Sequence, residues 1–456
     1  MPFALRDNSS YFEHIFNVQN VDAPALISNR TVTYGELEKE IEHWRQRLEE
    51  CGVRKGSLVA LKVASSFTFV YLLYATWKLK AAVLLLDTRL KDSETTEMLE
   101  MTKPVCIVTS SEQNSPFSCF VEEVSIGMQQ GATQGSRLNR QEDALLLFTS
   151  GTTSRPKLIG RTRKDIMRDL IKLAQGGDLT TSDRIVSLAP LTHTYGLFNG
   201  LLQTIAAGAS LVFTTSNQTK HMVNTMREKK VTILYGVPMH YRLLTKEMEN
   251  EMLLDLRVAI SAGERLSSDI NKQFQKKFGL GVGQQYGTSE TGPLSMDWHG
   301  VCGESVGELL RGVEARIVEN ELRVKLEESP YRASENEDRF ADGWFHTSDA
   351  ANFDAEGFLH LEGRIDDVVN IGGLKVNLLE VEDKLRQFPG IREILVTAFK
   401  NNALVAHVEI NEGVDENSLF EWCRQHLSDY KIPKKFNIVD SIPRTVTGKV
   451  IRRMPE

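Results

Sequence analysis

The segment Leu147-Phe-Thr-Ser-Gly-Thr-Thr-Ser-Arg-Pro-Lys157 is the part of this chain best equipped to handle phosphate. An apolar strand runs into a loop of small and hydroxylated residues, Thr149, Ser150, Gly151, Thr152 and Thr153, which closes on Pro156 and Lys157. Such a loop can turn backbone N–H groups and hydroxyls inward on phosphate oxygens, and the lysine adds a point charge. It is not a Walker loop, because the chain contains no Gly-x4-Gly-Lys-[Ser/Thr]. A second pattern, Gly303-Glu-Ser-Val-Gly307, matches the nucleophile elbow of hydrolases. Gly312 and alternating strand patterns come after it, where an elbow needs a helix, so its context fails. The tail stands apart as well: its last 26 residues hold seven Lys or Arg against two acids, within a chain of formal net charge −7.

These groups need a scaffold, and the sequence alternates in a way that supplies one. A helix beginning at Thr33-Tyr-Gly-Glu, the strand Leu58–Val63, a buried helix Phe67–Leu79, and strands at Ala81–Leu86, Val105–Thr109 and Ala144–Phe148 succeed one another. The same texture resumes at Arg184–Leu188, Ser210–Phe213, Ile233–Tyr235 and Arg257–Ser261. Short apolar strands alternating with helices predict a mostly parallel α/β sheet. Beyond residue 300 the period changes to two in Glu314–Glu319 and Glu321–Lys325, as in antiparallel strands. Asn377 with Glu380 three residues on resembles a capping box and opens a small α+β pattern. The expected fold class is therefore α/β, with a large N-terminal region over 1–363 that includes an antiparallel β portion, and a small α+β domain over 364–456.

Composition narrows the class of molecule. With 456 residues, 41% apolar and 25% charged, the chain is neither disordered, collagen-like nor a small disulfide scaffold. The acidic balance argues against a nucleic-acid binder, which needs a basic face. Five scattered cysteines form no CxxC or Cys/His cluster, which reads as a reducing compartment without a zinc site. The first twenty residues lack the apolar core of a signal peptide. The uncharged stretch 185–219 is broken by Pro190, His193 and Asn199, so buried strands and loops are expected there rather than a membrane span. A cytoplasmic monomer or homodimer is the expectation.

Five motifs together resemble the acyl-adenylating superfamily of acyl- and aryl-CoA ligases, peptide-synthetase adenylation domains and firefly-type luciferases. They are the Thr149–Lys157 loop, Tyr286-Gly-Thr-Ser-Glu-Thr-Gly292, Gly343-Trp-Phe-His-Thr-Ser-Asp349, Gly363-Arg-Ile-Asp-Asp367 and Pro443-Arg-Thr-Val-Thr-Gly-Lys449. Their order and spacing cover nearly the whole chain. The resemblance implies ATP-driven activation of a carboxylic acid, in which positioning and charge stabilisation do most of the catalysis. By resemblance, Thr149, Ser150, Gly151, Thr152, Thr153 and Lys157 would grip the β- and γ-phosphates, and Ser289 would touch the α-phosphate. Glu290 would hold Mg²⁺. Tyr286, with Gly287, would stack near the adenine, and Ala262, Gly263 and Glu264 match the adenine-side loop. Asp349 would accept from the ribose hydroxyls with Arg364 beside it, and Lys449 would stabilise charge during adenylation.

The resemblance also implies a second half-reaction with a thiol. Asp366 matches the hinge about which the small domain turns, and Gly373 lies where a loop packs near the thiol of coenzyme A. His193, Thr194, Tyr195 and Gly196, within Leu188–Gly196, match the acid-binding segment, with His193 also a catalytic candidate. His193-Thr194 stands where amino-acid-activating domains usually carry Phe-Asp, which disfavours α-amino acids and leaves aromatic and aliphatic acids both open. Loading of a phosphopantetheinyl carrier protein is the alternative to free CoA, and a catalytically dead binding protein is a further rival. Two departures stand out: Ser154-Arg155 replaces the usual glycine and variable residue, restricting the loop backbone, and the chain is shorter than most relatives.

Overall fold

The computed structural model describes residues 20–111, 119–128, 142–149, 157–174, 176, 179–246, 255–332, 339–365, 368–371, 374–399, 403–411, 413–427, 429–444 and 450–451. The chain divides into two compact units. The first comprises Met1–Glu314, Lys325–Phe345 and Ala355–Leu359, and the second Ala315–Val324, His346–Asp354 and His360–Glu456.

Two sheets organise the first unit. One has six strands in the order Val124–Met128, Cys106–Ser110, Leu58–Lys62, Ala82–Leu85, Asp143–Thr149 and Lys157–Thr162. Its four central strands are parallel, and both edge strands pair antiparallel. The other has nine strands, from Glu308–Leu309 through Gly292–Met296, Gly283–Thr288, Val258–Ala262, Ile233–Gly236, Arg184–Ser187, Ser210–Val212 and Pro24–Ile27 to Thr31–Thr33. Six consecutive members, from Gly283–Thr288 to Pro24–Ile27, are parallel.

The predicted alternation is thus realised, with the physical reasons visible. Leu58–Leu61 and Ala82–Leu85 are continuous apolar runs because helices cover parallel sheets. Helix Tyr34–Glu50 starts at Thr33, which forms a full capping box with Glu36, and buries Leu37, Ile41, Trp44 and Leu48 at helical spacing. Helix Phe67–Lys78 is buried on nearly every side, so it is apolar all round, and the Ser66 side chain accepts from the Phe69 N–H at its start.

In the second unit, Ala315–Val318 and Glu321–Lys325 form the expected antiparallel hairpin, joined through Glu319 and Asn320, both at positive φ. Strands Ile391–Phe399, Ala403–Ile410 and Lys435–Ile438 form a three-stranded sheet. Helices Leu378–Arg386 and Glu416–His426 join it around Val381, Leu385, Ile394, Ala406, Leu419 and Cys423. The capping box expected at Asn377 is not made, although its side chain does cap the helix. Asn377 accepts from the Leu379 N–H at 2.9 Å, but the Glu380 carboxylate turns to Lys431 at 2.6 Å. The boundary read at Gly363 falls inside strand Leu359–Arg364. No helix among the described residues is long and apolar enough to cross a membrane.

Candidate active site

In open parallel sheets, ligands collect beyond the carboxyl ends of the strands. Four neighbouring parallel strands of the nine-stranded sheet end where the sequence motifs begin. Arg184–Ser187 opens onto Leu188–Gly196, Val258–Ala262 onto Gly263 and Glu264, and Gly283–Thr288 onto Ser289 and Glu290, with Ile233–Gly236 between the first two. In the six-stranded sheet, Ala82–Leu85 and Asp143–Thr149 are parallel neighbours with Leu85 opposite Leu147. Asp87 comes just past the first of them.

The segment Leu188–Gly196, expected to meet the acid, is held by its own backbone and by distant partners. Gly196 begins a π-helical turn, Gly196–Leu202, a form that concentrates at functional sites. A Cβ there would lie 2.3 Å from the Pro190 carbonyl oxygen, so the position requires glycine. The His193 imidazole meets the buried Asp87 carboxylate, Nε2 to Oδ2, at 2.9 Å. Asp87 is clasped by Arg89 through Nε at 2.9 Å and Nη2 at 2.8 Å, and by the Arg89 backbone N–H at 2.9 Å. Burial alone would push the Asp87 carboxyl up, but the hydrogen bonds from Arg89 and His193 outweigh it and hold it well below the usual carboxylate range. An ionised Asp87 can only accept, so Nε2 of His193 carries the proton. The Thr194 and Ser289 hydroxyls lie 3.5 Å apart, joining the acid segment to the hairpin expected to meet the α-phosphate.

Tyr195 is committed to structure at its polar end. Its hydroxyl donates to the Ile260 carbonyl at 2.7 Å, which also accepts from Tyr241 at 2.7 Å, and its ring packs edge-on to Tyr235. Burial, with Tyr241 and Tyr235 nearby, raises its hydroxyl well above the ordinary tyrosine range.

Ser289 and Glu290 form the tip of the hairpin between Gly283–Thr288 and Gly292–Met296. Thr288 and Thr291 lock it with reciprocal backbone-to-hydroxyl bonds of 3.3 and 3.2 Å. The Glu290 carbonyl accepts from Arg161 Nη1 at 2.9 Å. Arg161 also pairs with Asp169, which Lys172 reaches at 3.2 Å, and the three side chains are only 6%, 1% and 9% exposed. Gly292, at φ +70°, presses against this group: a Cβ there would lie 2.1 Å from Asp169 Oδ2. The Glu290 carboxylate itself makes no hydrogen bond or ion pair among the described residues. A half-buried, unengaged carboxylate beside hydroxyls suits Mg²⁺, which keeps waters and phosphate oxygens in its shell. The residues present fit that ion.

Arg161 shares the strand Lys157–Thr162 with Lys157, four residues earlier and on the same face. Lys157 sits opposite Thr149 in the antiparallel register, with Nζ 5.2 Å from the centre of the Tyr331 ring. Of the residues expected near the adenine, Tyr286 is buried in its strand, Gly287 lies against the Gly292 carbonyl, Ala262 is buried, and Gly263 at φ +91° turns the chain toward the exposed Glu264. In the second unit, Asp349 Oδ1 and Arg364 Nη1 are 3.4 Å apart, bringing together the two residues assigned to the ribose. Asp349 comes directly after Ser348, held at φ +57° while its N–H donates to Glu321 at 3.0 Å. Ser150, Gly151, Thr152, Thr153, Ser154, Arg155, Asp366, Gly373 and Lys449 lie outside the described residues.

The hydrolase-like elbow is closed to chemistry. Ser305 is fully buried, donates to the Leu359 carbonyl at 2.8 Å and accepts from the Gly307 N–H at 3.0 Å. Sequence reasoning missed Asp87, Arg89, Arg161, Asp169 and Lys172. The available signal was weak: an Asp-x-Arg directly after an apolar parallel strand, at the end where ligands bind.

These strand ends gather the segments that the sequence expects to meet nucleotide and acid: the motif that begins at Thr149, Leu188–Gly196, and the hairpin of Ser289 and Glu290. The chain belongs to the AMP-binding enzyme family, whose profile matches residues 12–329, and the AMP-binding enzyme C-terminal domain matches residues 380–449. It is similar to the oxalate–CoA ligase of Arabidopsis thaliana, at 26% identity over 93% of this chain and 92% of that protein. It is equally similar to the 3,4-dihydroxybenzoate–[aryl-carrier protein] ligase of Bacillus anthracis, at 26% identity over 90% and 93%. Among solved structures, the o-succinylbenzoate coenzyme A synthetase of Bacillus subtilis with ATP and magnesium ion superposes with a TM-score of 0.82, at 25% identity over 97% and 98% of the two chains.

Proposed function

We propose that this chain is an ATP- and Mg²⁺-dependent ligase that joins a carboxylic acid to the thiol of coenzyme A through an acyl-adenylate. The observation that carries the reading is the 3.5 Å approach of Thr194 to Ser289, which sets the acid segment against the phosphate-facing hairpin. A carboxylate bound along Leu188–Gly196 then lies beside the α-phosphate. Its oxygen attacks the α-phosphorus, an O–P bond forms, and pyrophosphate leaves with the electrons of the broken bond. The thiolate then attacks the acyl carbon, and AMP leaves.

Thr149 to Thr153 with Lys157 hold the β- and γ-phosphates. Glu290 would hold Mg²⁺, which would supply positive charge to the phosphates. Tyr286, Gly287 and Ala262 to Glu264 flank the adenine, and Asp349 beside Arg364 receives the ribose hydroxyls. Lys449 stabilises charge in the first half-reaction. A turn of the C-terminal domain over 364–456 about Asp366 then opens the thiol path beside Gly373. His193-Thr194 disfavours an acid with an α-ammonium group, and the Asp87 carboxylate, which meets the segment at His193, is already engaged by Arg89 and His193.

A second reading, loading of a phosphopantetheinyl carrier protein, is supported by the carrier-protein ligase among the relatives. A pyrophosphate-exchange screen across aromatic, short-, medium- and long-chain acids tests the activation step. Exchange with none of them would sink the reading. AMP release that depends on CoA, without carrier protein, supports the first acceptor; release only with a carrier protein supports the second.

A further inference from the structure

We propose that Asp87, with Arg89 behind it, is a positioning residue that fixes the tautomer and orientation of His193 for the incoming acid, resting on the acid-activating function above. Asp87 lies just past strand Ala82–Leu85 and is 106 residues from His193 in sequence, yet its Oδ2 lies 2.9 Å from Nε2. Its carboxylate is 7% exposed and His193 is 30% exposed, so the aspartate is the enclosed partner and the imidazole the accessible one.

Four donors converge on the two oxygens. The Arg89 backbone N–H and Nε reach Oδ1, while Arg89 Nη2 and His193 Nε2 reach Oδ2. Only a carboxylate satisfies all four; an amide in either flip turns an NH2 toward N–H donors. With Nε2–H committed, Nδ1 is the ring's remaining polar atom, and it has no partner among the described residues. Its neighbour Thr194 lies 3.5 Å from Ser289, so the segment carrying this ring reaches the hairpin expected to meet the α-phosphate. The arrangement obeys the general logic by which a carboxylate on one imidazole nitrogen decides what the other nitrogen presents.

Asp87→Asn forces a choice. Either the amide NH2 faces Arg89, or it faces His193, which then accepts at Nε2 and carries its proton on Nδ1. Asp87→Asn is expected to lower kcat/KM for the acid in pyrophosphate exchange by roughly tenfold, within the range for coupled contacting groups, with the KM for ATP unchanged. In a His193→Ala background the same substitution is expected to change activity less than twofold, because its route of action is gone. Arg89→Ala, at a half-exposed arginine, is the milder companion variant and is expected to cost about threefold, again only while His193 is present. Equal losses with and without His193, in either variant, would overturn the positioning role. Exchange absent from the wild type with every acid would overturn the underlying function and this proposal with it, whereas normal wild-type exchange with additive losses would overturn this proposal alone.

Discussion

Replacing Arg161 by methionine tests how the hairpin carrying Ser289 and Glu290 is held. In the folded chain Arg161 spans Asp169 and the Glu290 carbonyl, 2.9 Å from Nη1, with Lys172 3.2 Å from the other Asp169 oxygen. Methionine fills most of the volume but leaves Asp169, 1% exposed, to Lys172 alone, and strips the Glu290 carbonyl of a charged donor. Breaking one side of a buried ion group costs about 3–5 kcal/mol. The lost hydrogen bond from a charged donor accounts for roughly 1.5–3 kcal/mol of that and acts directly on the hairpin. Urea unfolding of the larger unit, monitored by tryptophan fluorescence, reads the first quantity. Calorimetric titration with Mg²⁺ and a non-hydrolysable ATP analogue reads the second, with an expected weakening of about tenfold or more. The triple variant Arg161→Met, Asp169→Leu, Lys172→Met separates them. Apolar replacement of a whole buried group is often neutral or stabilising, so stability is expected to return while nucleotide binding stays weak. A loss below about 1 kcal/mol in the single variant, or full recovery of binding in the triple, would refute the idea that this group positions the hairpin.

Lys449→Ala is expected to lower adenylation by roughly 10²–10³-fold, the scale of one lost electrostatic stabiliser, and wild-type pyrophosphate exchange would contradict its role. Gly196→Ala sets a methyl 2.3 Å from the Pro190 carbonyl oxygen, so it is expected to cost about 1–3 kcal/mol and to raise the acid KM; unchanged melting and kinetics would contradict the tight packing. His240 accepts the Val237 N–H at 3.1 Å, and burial lowers its imidazole to about 4. Below its ordinary value of about 6.5 the unfolded chain binds a proton that the folded one refuses, so stability is expected to fall as pH drops from about 6.5 toward about 4. His240→Gln should flatten that part of the urea-midpoint profile, and an unchanged slope would refute it.

The sequence is most readable where one short segment determines its own structure. Apolar runs such as Leu58–Leu61, the Thr33 cap and the period-two pattern of Glu321–Lys325 carry their conformations locally, and the family motifs mark the strand ends. It is least readable where a side chain finds a partner far along the chain. Nothing near His193 announces Asp87, and nothing near Glu290 announces Arg161, 129 residues away. Glu380 shows the converse. Its spacing from Asn377 suits a capping box, but a distant lysine offers its carboxylate a charge in place of a backbone N–H.

The π-helical turn Gly196–Leu202 has an implication for how this enzyme could diverge. Such a turn is a helix holding one residue more than its ordinary ladder accommodates. Losing that residue would let the turn relax to α-helix and rotate the preceding His193, Thr194 and Tyr195 by about 100° relative to the rest of the helix. Exchanges of side chain leave the frame intact, whereas a single-residue deletion re-aims all three at once. Descendants of this chain are therefore free to explore new acids by composition along the segment, and are constrained in its length.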